Sequence, residues 1–282
     1  MKKNRIGKAA KHTAKWKIAA AAAMLAAVSA GAWYLCSKMH EAFLAQCVVT
    51  DIERQVVVTA GQTLKEGTVL ELFKLRKGAN LATIDFAGLR EKALGRYPAI
   101  RAIYVARHLP DKVEIKIEER IPVVRLNEID ARRVVRKSPT GRVADAEGVV
   151  FTRSFGTEAL PVIYERAGDA TKPGRKLPPR TMAALRLLAL AREQSYSDLG
   201  IMRVDTDSRD YLLAILADYS PAKIAWEGME TGTEASQKAM ARQLGHLRDA
   251  VASRVAPAGT RPVVWNATEP DRVFADTKEP IL

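Results

Sequence analysis

The sequence predicts an α+β chain in three parts: a single N-terminal transmembrane helix, a small βααββ unit, and a mostly antiparallel β domain with two helices. Three observations carry this prediction. Ile18–Ser37 is an uninterrupted stretch without charge. Residues 51–121 run strand, helix, helix, strand, strand. Residues 122–276 hold short β-branched runs separated by two helical patterns. The boundaries read 1–17 for a basic tail, 18–37 for the span, 38–50 for a connector, 51–121 and 122–276 for the two domains, and 277–282 for a C-terminal tail.

The stretch Ile18–Ser37 has about the length needed to cross a hydrocarbon core. Ile18, Leu25, Val28 and Leu35 are its strong apolar residues, and alanine fills most of the rest. Lys2, Lys3, Arg5, Lys8, Lys11, Lys15 and Lys17 precede it with no acidic residue among them, while only Lys38 follows closely. The positive-inside rule then puts the tail in the cytoplasm and the body outside. Val28-Ser29-Ala30 and Ala30-Gly31-Ala32 also resemble small-residue cleavage sites, so a cleaved signal peptide is the competing reading. The apolar run continues past both through Trp33, Tyr34 and Leu35, which favours an anchor, and Trp16 and Trp33 sit where an aromatic belt would lie.

The net charge of +13 comes from 45 Lys and Arg against 32 Asp and Glu, and the tail supplies seven of the basic residues. The body is therefore only mildly basic, and no nucleic-acid partner is expected. Cys36 lies in the span and Cys47 just beyond it, so a disulfide framework is not expected either.

After the connector, Val56-Val57-Val58 ends at Ala60-Gly61 and reads as a strand. Val69, Leu70, Leu72 and Phe73 give Thr68–Lys74 helical character. Asp85 is a suitable N-cap for a helix carrying Phe86, Leu89, Ala93 and Leu94. Ile100–Arg107 and Lys112–Glu118 read as strands around Leu109-Pro110-Asp111. In the second, Val113, Ile115 and Ile117 alternate with Glu114, Lys116 and Glu118, a period of two that separates an apolar from a charged face. Such a unit should stack its helices on one face of a three-stranded sheet.

In the second domain Val123–Leu126 reads as a strand, Gly141–Phe151 as a hairpin and Leu160–Ile163 as a strand. Thr181–Gln194 is helical, with Met182, Leu185, Leu188 and Ala189 on one face. Strands follow near Ile201–Asp205, Tyr211–Ala217 and Ala222–Trp226. The helix Thr233–Val255 has the stripe Met240, Leu244, Leu247 and Val251. Arg261–Asn266 and Arg272–Ala275 form final strands.

Several of these pieces occur in a recognisable order. They are Gly78-Ala79-Asn80-Leu81, Ile84-Asp85, Tyr97-Pro98-Ala99-Ile100, Leu109-Pro110-Asp111 and Glu118-Glu119-Arg120-Ile121-Pro122-Val123. With an anchor upstream, the run resembles the POTRA domain of the FtsQ/DivIB bacterial cell-division family. The segments Asp145-Ala146-Glu147-Gly148-Val149-Val150-Phe151 and Leu160-Pro161-Val162-Ile163 resemble that family's C-terminal β domain. The chain departs from the family pattern at Val56–Gly61 and at Trp265-Asn266.

No catalytic constellation is visible, and no metal or cofactor is expected. His12, His40, His108 and His246 have no ligand partners at metal spacing, and Ser154 lacks the glycines of a nucleophile elbow. Asp205-Thr206-Asp207 begins like a calcium loop but fails at Arg209, Asp210 and Leu216. The expected class is a non-enzymatic binding scaffold, and the physical handle of such a protein is an unpaired sheet edge.

The resemblance implies a bitopic scaffold of the divisome, in the inner membrane at the septum, that couples septal cell-wall synthesis to cytokinesis. It implies FtsB/DivIC-like and FtsL-like partners at the edge of the β domain, where Val263, Val264, Trp265 and Asn266, with Val273 and Phe274 nearby, are the candidate residues. For recruitment through the POTRA domain the candidates are Arg107, His108 and Asp111. The alternative is a periplasmic POTRA-type chaperone or scaffold for outer-membrane export.

Overall fold

The computed structural model describes residues 6–129, 135–136, 141–254 and 263–276, with side chains undescribed at 6–15, 17–19, 21, 135–136 and 276. The contacts divide the chain into two compact units. One comprises Met1–Glu91 and Ile103–Ile117, the other Lys92–Ala102 and Glu118–Leu282.

A long helix, α1 (Ile6–Gln46), runs through the predicted span. Leu25, Val28 and Leu35 stand on it exposed, and the Ile18 side chain lies outside the described residues. Among the described residues no helix is long and apolar enough to cross a membrane. The helix stops where Cys47 and Val49 become fully buried. Here the chain turns extended: Val49 N–H donates to Ala79 C=O, Gly78 N–H to Val49 C=O, and Leu81 N–H to Cys47 C=O, all at 2.8 Å. The Asn80 side-chain amide donates to Leu44 C=O at 2.8 Å, satisfying one of the carbonyls that a helix end leaves open. The run Gly78–Leu81 is thus the seat on which α1 ends, and Gly78 takes a φ of +89° there.

A single turn, α2 (Ile52–Gln55), precedes β1 (Val56–Thr59), and Asp51 caps it by accepting from the Glu53 and Arg54 N–H groups. The strand expected from Val56–Val58 is thus present, with a helical turn in front that its β-branched run could not announce. The next helices are α3 (Glu66–Leu72) and α4 (Phe86–Arg96). Asp85 Oδ1 accepts from Gly88 N–H at 3.0 Å, the capping bond expected from the sequence. Strands β2 (Ile100–His108) and β3 (Lys112–Glu119) complete the set. The sheet order is β1-β3-β2, with β1 parallel to β3. Val113 and Ile115 are fully buried and Ile117 nearly so, as the period of two requires. The Phe73 and Phe86 rings stack, their centroids 6.1 Å apart.

The second unit holds a ten-stranded sheet built from β4 (Val124–Ile129), β5 (Val135–Arg136), β6 (Arg142–Ala144), β7 (Val150–Thr152), β8 (Val162–Arg166), β9 (Arg203–Asp205), β10 (Leu212–Ile215), β11 (Pro221–Ile224), β12 (Val264–Ala267) and β13 (Phe274–Asp276). Their order is β13-β12-β11-β10-β9-β8-β4-β6-β7, with β5 beside β4. Most pairs are antiparallel, but β4 with β8, β8 with β9 and β11 with β12 are parallel.

The two helices supply two of those parallel pairings. Helix α5 (Pro179–Ala191) lies in the chain between β8 and β9, and α6 (Glu234–Ser253) between β11 and β12. A parallel pair needs a crossover of a dozen or more residues, and a helix is the usual one. Helix α5 starts with proline at its first position, and Thr233 caps α6 by accepting from Ser236 N–H. One core cluster joins both helices to the sheet: Leu187, Leu188, Met240, Leu244 and Leu247 pack with Leu126, Ile163, Val204, Leu212, Ile224 and Trp265.

Candidate functional site

The two ends of the large sheet differ in how their outer strands are finished. At the β7 end, Val150 N–H donates to Arg175 C=O at 2.9 Å and Gly174 N–H donates to Val150 C=O at 2.7 Å. The loop after β8 thus occupies both backbone groups of Val150, the first residue of that edge strand. At the other end the order stops at β13, and among the described residues nothing pairs with its outer side.

This changes the place of the expected edge. Val263–Asn266 was the candidate, but β12 lies inside the sheet, between β11 and β13. Val263, Val264 and Trp265 are only 2, 4 and 5% exposed. Alternation along a strand reports which faces are covered, not which neighbours it has, so β12 and β13 were indistinguishable as edges. Val263 and Trp265 share one face and belong to the helix-covered core, as alternation required of one set. Asn266 is half-buried and uses Oδ1 to accept from Thr268 N–H and Oγ1. The edge is Phe274–Asp276, with Phe274 46% exposed and Val273 packed partly against the core.

Arg107, His108 and Asp111 gather at the β2–β3 turn and are all exposed. The Arg107 guanidinium lies over the Phe86 ring, 5.5 Å from its centroid. Phe86, Ala87, Arg90, Val105 and Arg107 line a shallow depression beside them. His108 Nε2 lies 3.9 Å from a Glu114 carboxylate oxygen.

Two polar networks were not expected from the sequence. In the first, Arg142, nearly buried, donates to Glu165 at 2.9 Å, to Thr171 C=O at 3.0 Å and to Glu128 at 3.2 Å. Glu128 and Glu165 are direct neighbours across β4 and β8, where like charges repel. The guanidinium sits where it bonds both, and Thr171 Oγ1 donates to Glu165 at 2.7 Å. In the second, Arg120 donates to Asp145 at 2.6 Å and to Pro98 C=O at 3.2 Å. Asp145 Oδ1 accepts from the Glu147 and Val149 N–H groups. Arg101 adds bonds to Glu118 and Glu147, and those two carboxylates, Glu147 foremost, hold its guanidinium above its ordinary pKa. A charged residue on a polar strand face carries no sign of its distant partner, which is why both networks escaped the sequence.

Pro98, Glu118, Arg120, Asp145 and Glu147 of the second network belong to the motifs on which the resemblance rests. Arg120 sits in Glu-Arg-Ile-Pro-Val, and Asp145 begins Asp-Ala-Glu-Gly, whose Gly148 takes a φ of +75°. Gly148 packs against the end of the Met182 side chain on α5, and its positive φ is the feature that favours glycine there.

Comparison with protein families agrees. Residues 53–120 match the FtsQ-type POTRA domain. The chain carries an FtsQ-type POTRA domain. The match covers β1 through β3, and Arg120 is its last residue. It supports the FtsQ/DivIB resemblance, which sequence order had suggested. No curated protein matches the chain.

Proposed function

We propose that this protein is a non-enzymatic, membrane-anchored scaffold of bacterial cell division. Its body lies outside the cytoplasm at the division septum and couples cell-wall synthesis to cytokinesis by holding FtsB/DivIC-like and FtsL-like proteins. The FtsQ-type POTRA domain at residues 53–120 carries this reading. Two further observations support it. Met24, Leu25, Val28, Trp33, Tyr34 and Leu35 all stand more than 60% exposed on α1, an apolar surface that lipid would cover and water would not favour. The β13 edge supplies backbone groups to which a partner strand could bond. In this reading the C-terminal edge receives the small division proteins, and Arg107, His108 and Asp111 serve recruitment by other components.

The test is the live-cell position of an N-terminal fluorescent fusion. A band at the division site, lost on removing residues 123–282 but kept when Ile18–Ser37 is exchanged for another anchor, is the expected result. Uniform envelope signal through the cell cycle in a functional fusion would overturn it in favour of an export-related POTRA protein. Fluorescence released from the body would show that Ile18–Ser37 is a cleaved signal.

A further inference from the structure

The loop on which α1 ends carries a concentrated positive charge. Lys74, Arg76 and Lys77 are all exposed there, and no acidic residue occurs between Glu71 and Asp85. Leu75, among them, is buried, and its N–H donates to Leu70 C=O at 2.8 Å, so the loop is pinned at its middle with its cations outward. Ala79 N–H donates to Arg76 C=O at 2.9 Å, and the bonds of Gly78 and Leu81 tie the same loop to Val49 and Cys47, just past the end of α1. Among the described residues none of the three cationic side chains forms an ion pair. Lys74 has a φ of +55° after the end of α3, where glycine or asparagine usually stands. A residue with a Cβ is disfavoured in that region, so the position carries a charge where the turn itself would favour glycine. Helix α1 leaves the domain at this point: every described α1 side chain before Leu44 is exposed. On the intervening turns the Glu41 carboxylate is paired with Lys38 at 2.9 Å.

We propose that Lys74, Arg76 and Lys77 rest on the membrane that α1 enters and bind its anionic lipid headgroups, fixing how the POTRA domain stands on that surface. The inference rests on the membrane-anchored reading above and goes beyond it. Lys38–Gln46 separate the apolar stretch from the end of α1. Along an upright helix those residues rise about 14 Å. The headgroup layer on one side of the hydrocarbon core takes up about 6 Å of that rise. The remaining gap of about 8 Å is close to one Debye length at physiological salt. Membrane helices usually tilt, which narrows the gap further. Three unpaired cations at that height attract a negative surface and are indifferent to a neutral one. An acidic protein segment is the other chemistry such a loop could hold. Lipid is favoured because the bonds to Val49 and Cys47 keep the loop beside the surface whatever else the domain binds.

The experiment uses the full chain with Cys36→Ser and Thr83→Cys, with a fluorophore attached at the exposed Thr83→Cys position; Cys47 is buried and stays unlabelled. The chain is reconstituted in vesicles of phosphatidylcholine that carry a nitroxide quencher on the headgroup, with or without phosphatidylglycerol. Phosphatidylglycerol should increase the quenching about twofold at low salt, and high salt should remove the difference. With Lys74→Gly, Arg76→Gln and Lys77→Gln added, quenching should be the same in both vesicles. Glycine accepts the φ at Lys74, so this variant should unfold in urea no earlier than its parent. Equal quenching of the parent chain in the two vesicles would overturn the proposal and leave the anchored reading intact, since the chain still floats with both. If the triple variant then lost septal recruitment, the loop would belong to an acidic protein segment instead. A phosphatidylglycerol effect that persists in the folded triple variant would also overturn the proposal, placing the contact on other cations. A chain that floats with neither vesicle would overturn the anchored reading and the proposal with it.

Discussion

The β7 and β13 ends of one sheet face the same physical problem and meet it differently. An edge strand presents a row of unpaired N–H and C=O groups, which is a template for any other strand. At the β7 end the chain covers that template itself at Val150, whose N–H and C=O are bonded by Arg175 and Gly174. Just inside lies the Arg142 network, which fixes β6, β4 and the loop residue Thr171 to β8. At the β13 end there is no such loop among the described residues, no buried ion pair, and a three-residue strand with an exposed aromatic. One end has the backbone groups of Val150 committed internally, while among the described residues no strand lies outside β13 at the other. An edge that bound nothing would gain from the first arrangement, so the second is where a partner strand is to be sought.

The largest effects are expected in the residues that make each end rigid. Arg142→Met should destabilise the protein by about 3–5 kcal/mol, because it leaves Glu165 buried without its cation beside Glu128. The double change Arg142→Met with Glu165→Leu should recover part of that loss, since removing both partners removes the uncompensated charge. Urea unfolding of the three proteins measures this, and a single change costing under about 1 kcal/mol would mean that the network does not hold the sealed end. Trp265→Ala should cost a similar amount, about 3–5 kcal/mol, as a core deletion under α6. If Trp265 were instead an edge contact, as its sequence position suggested, the same substitution would leave stability nearly unchanged and act only on partner binding.

A smaller effect is expected from opening the sealed end. Gly174→Pro removes the N–H that bonds Val150 C=O and forbids the φ of +83° that Gly174 adopts. The loss should be about 2–3 kcal/mol. The newly exposed β7 should also make the protein self-associate, visible by light scattering. A protein that stays monomeric while losing stability would separate the two roles of the loop, leaving it a brace but not an edge cover.

The sequence revealed periodicity and local chemistry, and little about order in space. The alternation Val113–Ile117 and the stripe Met240–Leu247 named buried faces that the structure contains, because burial follows directly from a period of two or near 3.6. Asp85 could be recognised as a cap because a cap acts within three residues of itself. Strand neighbours have no such local record. The parallel pairing of β4 with β8, the burial of β12 behind β13 and the meeting of Arg142 with Glu165 all join residues separated by a loop or a helix. The family motifs occupy a middle position. Gly78–Leu81 and Asp145–Gly148 were visible as patterns, but their tasks, seating the end of α1 and turning a hairpin beneath Met182, required the structure.

The smallest expected effect on stability is the most informative about function. Phe274 is 46% exposed on a strand that contributes little to the core, so Phe274→Asp should change stability by no more than about 0.5 kcal/mol. A carboxylate there would nevertheless place a hydrated charge where an incoming strand must lie, and desolvating it without a partner is costly. The expected outcome is a chain that unfolds like the native protein and fails to capture the partners proposed for the edge. A charge reversal on an equally exposed residue elsewhere in the second unit, such as Glu193→Lys, controls for a general change in surface charge. If Phe274→Asp captures partners normally while Arg107→Glu does not, the recognition surface is the β2–β3 turn of the POTRA domain, and the open edge of the large sheet serves something else.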